Sequence, residues 1–256
     1  MPAPRHIAIT GASSGLGAAL AVQYAAEPGV TLYLSGRSHP RLAQVSAACE
    51  TLGATVFPRC VDVRFAGEVA EWLGDTAYDV VIANAGVSGG TADAGGESAA
   101  QRKAIFQTNV DGVLNTLHAA LPAMETAGRG QLVLISSLAA YRGFPGAPAY
   151  CASKAAVKIY GEALRALLRP KGIGVTVVCP GYIKTPMTDA NDFTMPLMVD
   201  AAVAARRIAE GIDANKALVA FPFALKSLLW ILNNAPSGLV ERLLGRLPRK
   251  GAMAAD

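Results

Sequence analysis

The chain has 256 residues, of which 52% are hydrophobic and 16% are charged, and its 23 lysines and arginines exceed its 19 aspartates and glutamates by four. A chain this long and apolar buries enough surface to fold without disulfide or metal cross-links, so small cross-linked scaffolds and intrinsic disorder are excluded. A net charge of +4 without a run of five basic residues also argues against nucleic acid as a partner.

The four cysteines form no C-x-x-C pair, so we expect reduced thiols, no metal site and a cytoplasmic location. The segment Met1–Ile7 lacks the apolar stretch and cleavage site of a signal peptide. The longest apolar stretch, Ala217–Leu232, has 16 residues and is interrupted by Pro222 and Lys226. It is shorter than the roughly 20 residues that a membrane-spanning helix needs.

Short apolar runs alternate with longer segments of helical period, which is typical of βαβ units. Seven strands are predicted, each apolar enough for burial on both faces of a parallel sheet. They are Ile7–Thr10, Val30–Ser35, Thr55–Cys60, Val80–Ala83, Gln131–Ile135, Gly174–Cys179 and Ala217–Phe221. The predicted helices between them are Gly15–Glu27, Arg41–Leu52, Ala66–Gly74, Ser98–Thr126, Ala149–Arg169 and Asp200–Ile212.

With right-handed crossovers, these elements predict an α/β fold: a doubly wound parallel seven-stranded sheet of the Rossmann type, in a three-layer αβα sandwich. No low-complexity linker or internal repeat divides the chain. We therefore expect a single domain over residues 1–256, in which residues 222–256 form a helical extension.

A glycine-rich turn follows the first strand, with the sequence Thr10-Gly11-Ala12-Ser13-Ser14-Gly15-Leu16-Gly17. Glycines at a strand end allow a tight turn and a close approach to a pyrophosphate, while the N-terminus of the next helix offers unpaired N–H groups. The turn alone is also compatible with an ordinary strand-to-helix connection.

The segment Gly11–Gly15 also matches the G-x-S-x-G nucleophile elbow of hydrolases, with Ser13 as the nucleophile. That mechanism needs a downstream histidine, and only His39 and His118 follow. Only twelve residues precede Ser13, too few for the strands that flank an elbow, so this alternative is disfavoured.

A second constellation consists of Ser137, at the end of the fifth predicted strand, and a Tyr150-x-x-x-Lys154 pair. Residues i and i+4 share one helix face, so the Lys154 ammonium can lie near the Tyr150 hydroxyl. A nearby cation lowers the pKa of a phenol towards the range that is useful for proton transfer. A surface tyrosine, a surface lysine and a helix-capping serine are the alternatives.

Three further segments follow in order: Ala83-Asn84-Ala85-Gly86 after the fourth strand, then Asn109, then Pro180-Gly181 after the sixth strand. Together with the glycine turn and the Ser137–Tyr150–Lys154 spacing, they make the chain resemble the short-chain dehydrogenase/reductase family over about residues 5–221. Ala83 departs from the pattern, since many members carry an asparagine there.

The resemblance implies catalytic roles for four residues. Tyr150 would be the acid/base, and Ser137 would hydrogen-bond the substrate carbonyl oxygen. Lys154 would bind the nicotinamide ribose and lower the pKa of Tyr150, and Asn109 would help to hold a proton-relay water.

The resemblance also implies the surroundings of the cofactor. Asp62, with Val63, would meet the adenine amino group, the Asn84–Gly86 segment would border the adenosine ribose, and the segment from Pro180 to Thr185 would bind the carboxamide. The implied cofactor residues are Gly11, Ser13, Ser14, Gly15, Leu16, Gly17, Arg37, Asp62, Val63, Asn84, Ala85, Gly86, Tyr150, Lys154, Pro180, Gly181, Ile183 and Thr185.

The end of the second strand favours NADP(H) over NAD(H). An NAD site usually has an acidic residue there, about 20 residues beyond the glycine turn. This chain instead has Arg37, whose guanidinium can pair with a 2′-phosphate, with Ser13 and Ser38 as further donors. A solvated loop arginine is the alternative.

The family resemblance implies a lid over about Tyr182 to Val199, which here is rich in methionine and apolar residues. These favour a hydrophobic ketone, aldehyde or alcohol as the substrate. The leucine stripes of residues 222–256, with Arg242, Arg246, Arg249 and Lys250 beside the second, predict two amphipathic helices. They could pack on this chain or a second subunit, cover the pocket, or contact a membrane surface.

These expectations combine into an NADP-dependent oxidoreductase that transfers a hydride to or from a carbonyl or alcohol substrate. The family resemblance implies a homodimer or homotetramer built through its long helices. The alternative function is a dinucleotide-binding regulatory protein without turnover.

Overall fold

The structure, a computed structural model, describes residues 5–91, 96–189, 191, 193–245 and 250–251. Its strands are β1 (His6–Ile9), β2 (Thr31–Gly36), β3 (Thr55–Cys60), β4 (Val80–Ala83), β5 (Gly130–Ile135), β6 (Ile173–Pro180), β7 (Ile183–Lys184), β8 (Val199–Asp200) and β9 (Leu218–Phe221). Its helices are α1 (Gly15–Ala25), α2 (His39–Thr51), α3 (Ala66–Leu73), α4 (Ala99–Phe106), α5 (Gly112–Ala127), α6 (Pro148–Leu168), α7 (Pro186–Asp189), α8 (Ala201–Asp213), α9 (Phe223–Asn234) and α10 (Ser237–Leu244).

Seven strands form one parallel sheet in the order β3-β2-β1-β4-β5-β6-β9, which confirms the predicted doubly wound fold. The order reverses between β1 and β4. In open α/β sheets, ligands bind in the crevice outside the carboxyl ends of the strands at such a reversal. The fold therefore directs attention to the segments that follow β1 and β4.

Helices cover both faces of the sheet, each over its own apolar core. Helices α1, α2 and α8 pack on one face, over a cluster that includes Ile7, Leu20 and Ile208. Helices α5 and α6 cover the other face, over a cluster that includes Ala8, Leu117 and Val157. The alternation of neighbouring residues such as Ile7 and Ala8 between the two cores explains why the strands are apolar throughout.

Strand β3 differs from the prediction that all seven strands are buried on both faces. Five of its six residues are exposed, and Phe57 is 52% exposed. The reason is its place at the edge of the sheet, where it pairs with β2 alone. The apolar composition of Thr55–Cys60 was not sufficient to distinguish an edge strand from a central one.

The segment predicted as one helix over Ser98–Thr126 is divided in two by a π turn, Gln107–Asp111. Helix α4 precedes the turn and helix α5 follows it. The turn contains Asn109, which is fully buried. Because π turns are frequent at functional sites, this interruption draws attention to the surroundings of Asn109.

The chain beyond β6 forms two features beside the main sheet. Strands β7 and β8 pair in a small parallel sheet that brackets the predicted lid. Helices α9 and α10 confirm the two predicted C-terminal helices, while Arg246, Leu247 and Arg249 of the predicted second stripe lie outside the described residues. Within the described ranges, no helix combines the length and apolar character that crossing a bilayer requires.

Candidate active site

The glycine turn after β1 packs directly against the end of β4. Gly11 has φ +65°, and a Cβ atom there would lie 2.8 Å from the Cα atom of Ala85. At Gly17, a Cβ atom would lie 2.3 Å from the carbonyl oxygen of Gly11 and 2.5 Å from Nδ2 of Asn84. Any side chain at these two positions would push the turn away from the strand end.

Asn84 and Thr10 tie the turn to β4 by hydrogen bonds. Nδ2 of Asn84 donates to the carbonyl oxygens of Thr10 at 2.9 Å and Gly11 at 3.3 Å. Oγ1 of Thr10 accepts from the backbone N–H groups of Asn84 and Ala85, each at 3.0 Å. Asn84 therefore holds the turn against the end of β4.

Helix α1 begins at this turn with unsatisfied donors. Its N-cap residue, Ser14, makes no side-chain capping hydrogen bond. The free N–H groups and the helix dipole at this end attract an anion, and Gly15 leaves the approach open. This end of α1 is therefore suited to a phosphate group.

The carboxyl end of β2 carries positive charge. Arg37 follows β2, and Arg41 lies one turn into α2; both line the same cavity as the glycine turn. Gly36 lies against Ser13, since a Cβ atom there would be 2.8 Å from the Ser13 hydroxyl oxygen. In the sequence, Arg41 is recognised only as the first residue of a predicted helix. Its position four residues after Arg37 could have indicated that the two arginines line the same site.

Asp62 lies at the same end of the cavity and is held by Arg64. The Arg64 Nε atom donates to both carboxylate oxygens of Asp62, at 3.0 and 2.9 Å. Burial alone would raise the pKa of Asp62, but the Arg64 hydrogen bonds and the charge of Arg37 outweigh it and lower the pKa. Asp62 is thus an anionic acceptor fixed in orientation.

Tyr150 and Lys154 lie on α6, one turn apart. Lys154 is 4% exposed, and its ammonium donates to the Ile135 carbonyl oxygen at 2.9 Å and lies 5.8 Å from the centroid of the Tyr150 ring. The Ser136 hydroxyl donates to the Lys154 carbonyl oxygen at 2.7 Å, which ties α6 to the end of β5. Ser137, the next residue, lines the cavity beside Tyr150.

In this structure the pKa of Tyr150 shifts upwards, which is opposite to the direction that the family resemblance implies. Burial raises the pKa of Tyr150 to about 12, and a hydrogen bond with Ser137 opposes the increase only in part. Burial also lowers the pKa of Lys154 to about 8. The ammonium lies over the ring and is bound to the Ile135 carbonyl, so desolvation has the larger effect on both groups. At neutral pH, Tyr150 is a protonated phenol.

Asn109 lies outside the cavity lining and forms hydrogen bonds to two of the segments that build it. Its Oδ1 atom accepts from the Val87 N–H at 2.8 Å, while its Nδ2 atom donates to the Val87 carbonyl at 2.9 Å and to the Ser153 hydroxyl at 3.0 Å. The side chain therefore links the segment after β4 to helix α6. Of the predicted site residues, it is the one that does not line the cavity, where its neighbour Thr108 does.

One cavity of about 670 Å³ brings the other predicted site residues together. It extends from Arg37 and Asp62, past the glycine turn, to Ser137, Tyr150 and Lys154. Its lining also includes residues that the sequence did not indicate, among them Ser88, Thr108, Phe144 and Cys151. They escaped notice because only the tertiary fold brings their segments together.

Helices α9 and α10 form an apolar wall of this cavity. The lining residues that they contribute are Leu225, Leu228, Leu229, Leu232, Leu243 and Leu244, and Lys250 follows them. Within the described residues, the C-terminal extension therefore packs on this chain and lines the cavity, which agrees with two of the predicted positions. The hydrolase alternative gains no support, because the His118 ring is bonded to Tyr160 at 3.2 Å and neither of the two possible histidines lines the cavity around Ser13.

A Rossmann-type sheet whose strand ends bring a glycine turn, a Tyr-x-x-x-Lys pair and a serine into one cavity defines a class of dinucleotide-dependent oxidoreductases. Comparison with known proteins agrees. The family model described as short chain dehydrogenase matches residues 5–195. An uncharacterized oxidoreductase from Myxococcus xanthus is 38% identical over 248 residues, which cover 95% of this chain and 97% of the relative. The chain therefore belongs to the short-chain dehydrogenase/reductase family and is an oxidoreductase.

Solved structures show the same fold over nearly the whole chain. A short-chain dehydrogenase from Sphingobium yanoikuyae, in complex with NADPH, superimposes with a TM-score of 0.81 at 25% identity and covers 98% of this chain and 99% of its own. A family member from Burkholderia phymatum, in complex with NAD, has a TM-score of 0.82 at 23% identity and covers 98% of each chain. The expected family and fold are thus confirmed.

Proposed function

We propose that the protein is an NADP-dependent reductase of hydrophobic ketones or aldehydes, which also catalyses the reverse oxidation of alcohols. The observation that carries the proposal is the single cavity, which joins Arg37 to Tyr150 and continues along the apolar wall of α9 and α10. No observation favours the alternative of a regulatory protein without turnover.

The residues present fit a dinucleotide. The uncapped start of α1 and the close approach of Gly11 and Gly17 leave room and donors for a pyrophosphate. Asp62 and Val63 would border the adenine, and the Asn84–Gly86 segment its ribose. The segment from Pro180 to Thr185, which includes Gly181 and Ile183, would bind the carboxamide.

The preference for NADP(H) rests on the charge at the end of β2. Arg37 and Arg41 both line the cavity there, beside Ser13 and Ser38. Two guanidinium groups provide planar donor pairs that match phosphate oxygens. Solved relatives contain either NADPH or NAD, so the choice depends on these side chains of the chain itself.

The bound nicotinamide would supply the hydride that the substrate carbon accepts during reduction. Ser137 and Tyr150 would hold the carbonyl oxygen between their hydroxyl groups. Because burial raises the pKa of Tyr150 to about 12, the phenol carries its proton at neutral pH and can donate it to that oxygen. Lys154, buried beside the ring, would lie near the reacting hydroxyl and bind the ribose.

Substitution of Tyr150 by phenylalanine tests the proposal. Tyr150→Phe removes the proton donor with little change of shape, so turnover should decrease by about a hundredfold to ten-thousandfold, while NADPH still binds. NADPH oxidation with a panel of apolar ketones and aldehydes measures turnover, and cofactor fluorescence measures binding. The panel also identifies the substrate.

The matched control is Tyr160→Phe, which removes a hydroxyl from the same helix outside the cavity, where it contacts His118. The control should retain wild-type turnover. Near-normal turnover by the Tyr150 variant would refute its role, and failure of the wild type to bind NADPH or NADH would refute the proposed function.

A further inference from the structure

Lys250 places a cation in the wall of the cavity. Its ammonium donates to the Ser88 hydroxyl oxygen at 2.9 Å, and both residues line the cavity. Ser88 lies two residues after Gly86, where a Cβ atom would be 3.4 Å from the Lys154 ammonium. Lys250 therefore lies near the part of the cavity that contains Lys154.

The backbone of Lys250 is wedged between two loops of the site. The N–H of Gly90 donates to the Gly251 carbonyl at 2.8 Å. A Cβ atom at Gly90 would lie 2.3 Å from the Lys250 carbonyl oxygen and 2.5 Å from that of Gly146, which precedes Tyr150 by four residues. These close contacts on both sides fix the position of the Lys250 backbone, from which its side chain extends.

The Lys250 side chain is partly buried, and its ammonium has few partners. Within the described parts of the chain, Ser88 is its one hydrogen-bond partner, and no carboxylate pairs with it. The carboxylate in the described lining of the cavity is that of Asp62, which Arg64 holds at the adenine end. Burial lowers the pKa of Lys250 to about 8, so most molecules retain the charge at neutral pH. A buried cation with free donors is stabilised by an anion.

The walls around this cation are apolar. The apolar residues that line the same cavity include Phe144, Leu225, Leu228, Leu229, Leu232, Leu243 and Leu244. A ligand that satisfies both features has an apolar body and one anionic end. Lys250 and the Ser88 hydroxyl, whose own proton has no acceptor among the described residues, offer two donors side by side. Two donors match the two oxygens of a carboxylate, whereas a phosphate usually requires more donors or an arginine.

We propose that Lys250 and Ser88 bind the carboxylate of an apolar oxo acid, or of the corresponding hydroxy acid, as the substrate of this site. The proposal rests on the proposed function and specifies its substrate class. The carboxylate does not react: during reduction the ketone carbon gains a hydride from NADPH and its oxygen gains the proton of Tyr150. Lys250 is thus a specificity-determining residue.

Calorimetric titration with decanoate and 1-decanol, in the presence of saturating NADP⁺, tests the proposal without turnover. The two probes share an apolar chain and differ in charge. Lys250→Met keeps the length of the side chain and removes the charge, so the dissociation constant for decanoate should increase about tenfold or more, while that for 1-decanol stays within twofold. Lys250→Arg should retain most of the decanoate affinity.

Two controls separate charge recognition from a structural role. Lys226→Met removes a lysine of α9 that lies outside this cavity and should change neither constant. Ser88→Ala removes one donor and should weaken decanoate less than Lys250→Met does. Equal losses for decanoate and 1-decanol in Lys250→Met, or no binding of decanoate to the wild type, would overturn the proposal. NADPH binding, measured separately on each variant, reports on the proposed function itself.

Discussion

Arg37 and Asp62 illustrate how single charges organise one part of the cavity. Arg64 fixes the Asp62 carboxylate, and the charge of Arg37 further lowers the pKa of Asp62. The sequence indicated Arg37 by its distance from the glycine turn. It did not indicate Arg64 as the partner of Asp62, because the bidentate geometry depends on side-chain rotamers that the local sequence does not determine.

Arg37→Ala tests the choice of cofactor. The variant should weaken NADPH by about tenfold or more and leave NADH nearly unchanged, because only the 2′-phosphate loses a charged partner. Titration of cofactor fluorescence gives both dissociation constants. Arg59→Ala, which removes an arginine bonded to the Glu71 carbonyl away from the cavity, is the control. Equal weakening of both cofactors would show that Arg37 does not recognise the phosphate.

At the scale of elements, the seven strands were predictable because short apolar runs alternate with longer segments of helical period. The π turn was not predictable. It contains Asn109, whose partners Val87 and Ser153 are 22 and 44 residues away in sequence. Local periodicity carries no information about such contacts, and so one helix was expected where α4 and α5 are separate.

The connection between β1 and α1 yields a prediction about packing. In Gly17→Ala, the new methyl group would overlap the Gly11 carbonyl and the Asn84 side chain, so the turn must move. We expect NADPH to bind at least tenfold more weakly and the free energy of unfolding to decrease by about 1–3 kcal/mol. Cofactor titration and urea denaturation measure the two effects.

Gly67→Ala is the matched control for this substitution. Gly67 lies in the first turn of α3, and a Cβ atom there meets nothing within 4 Å. The control should keep both the cofactor affinity and the stability. An unchanged affinity in Gly17→Ala would contradict the role of close packing in the turn.

At the scale of the whole molecule, the sequence predicted the two C-terminal helices but left three positions for them open. Leu229 of α9 is buried against Val177 and Cys179 of β6, a tertiary contact that the sequence alone does not reveal. The opposite face of α9 exposes Phe223, Trp230 and Ile231. We propose that residues 222–256 are an extension of a single domain rather than a separate one.

Assembly remains a prediction at this scale. Helix α6 exposes Ile159 and Leu167, each at least 60% exposed, on a helix that the family resemblance assigns to subunit contacts. We expect a homodimer or homotetramer, because a second copy would cover these side chains. Light scattering gives the mass, and Ile159→Glu should reduce it.

Trp230→Glu is the control for the exposed face of α9. If that variant lowers the mass and the Ile159 variant does not, assembly occurs through the extension instead. A monomeric wild type would refute the predicted oligomer, and co-sedimentation of the wild type with anionic vesicles would then show that the α9 face contacts a membrane.

The leucine wall of α9 and α10 has a consequence for how the enzyme can diversify. Residues 11–185 provide the glycine turn, the arginine of the cofactor end and the Ser137–Tyr150–Lys154 group, whereas Leu225 to Leu244 provide much of the opposite wall. Substitutions in this late part of the chain can reshape this wall of the cavity without altering the groups that we propose transfer the proton. Natural variation and laboratory selection for new substrates should therefore accumulate in α9 and α10, where a change of ligand leaves the chemistry intact.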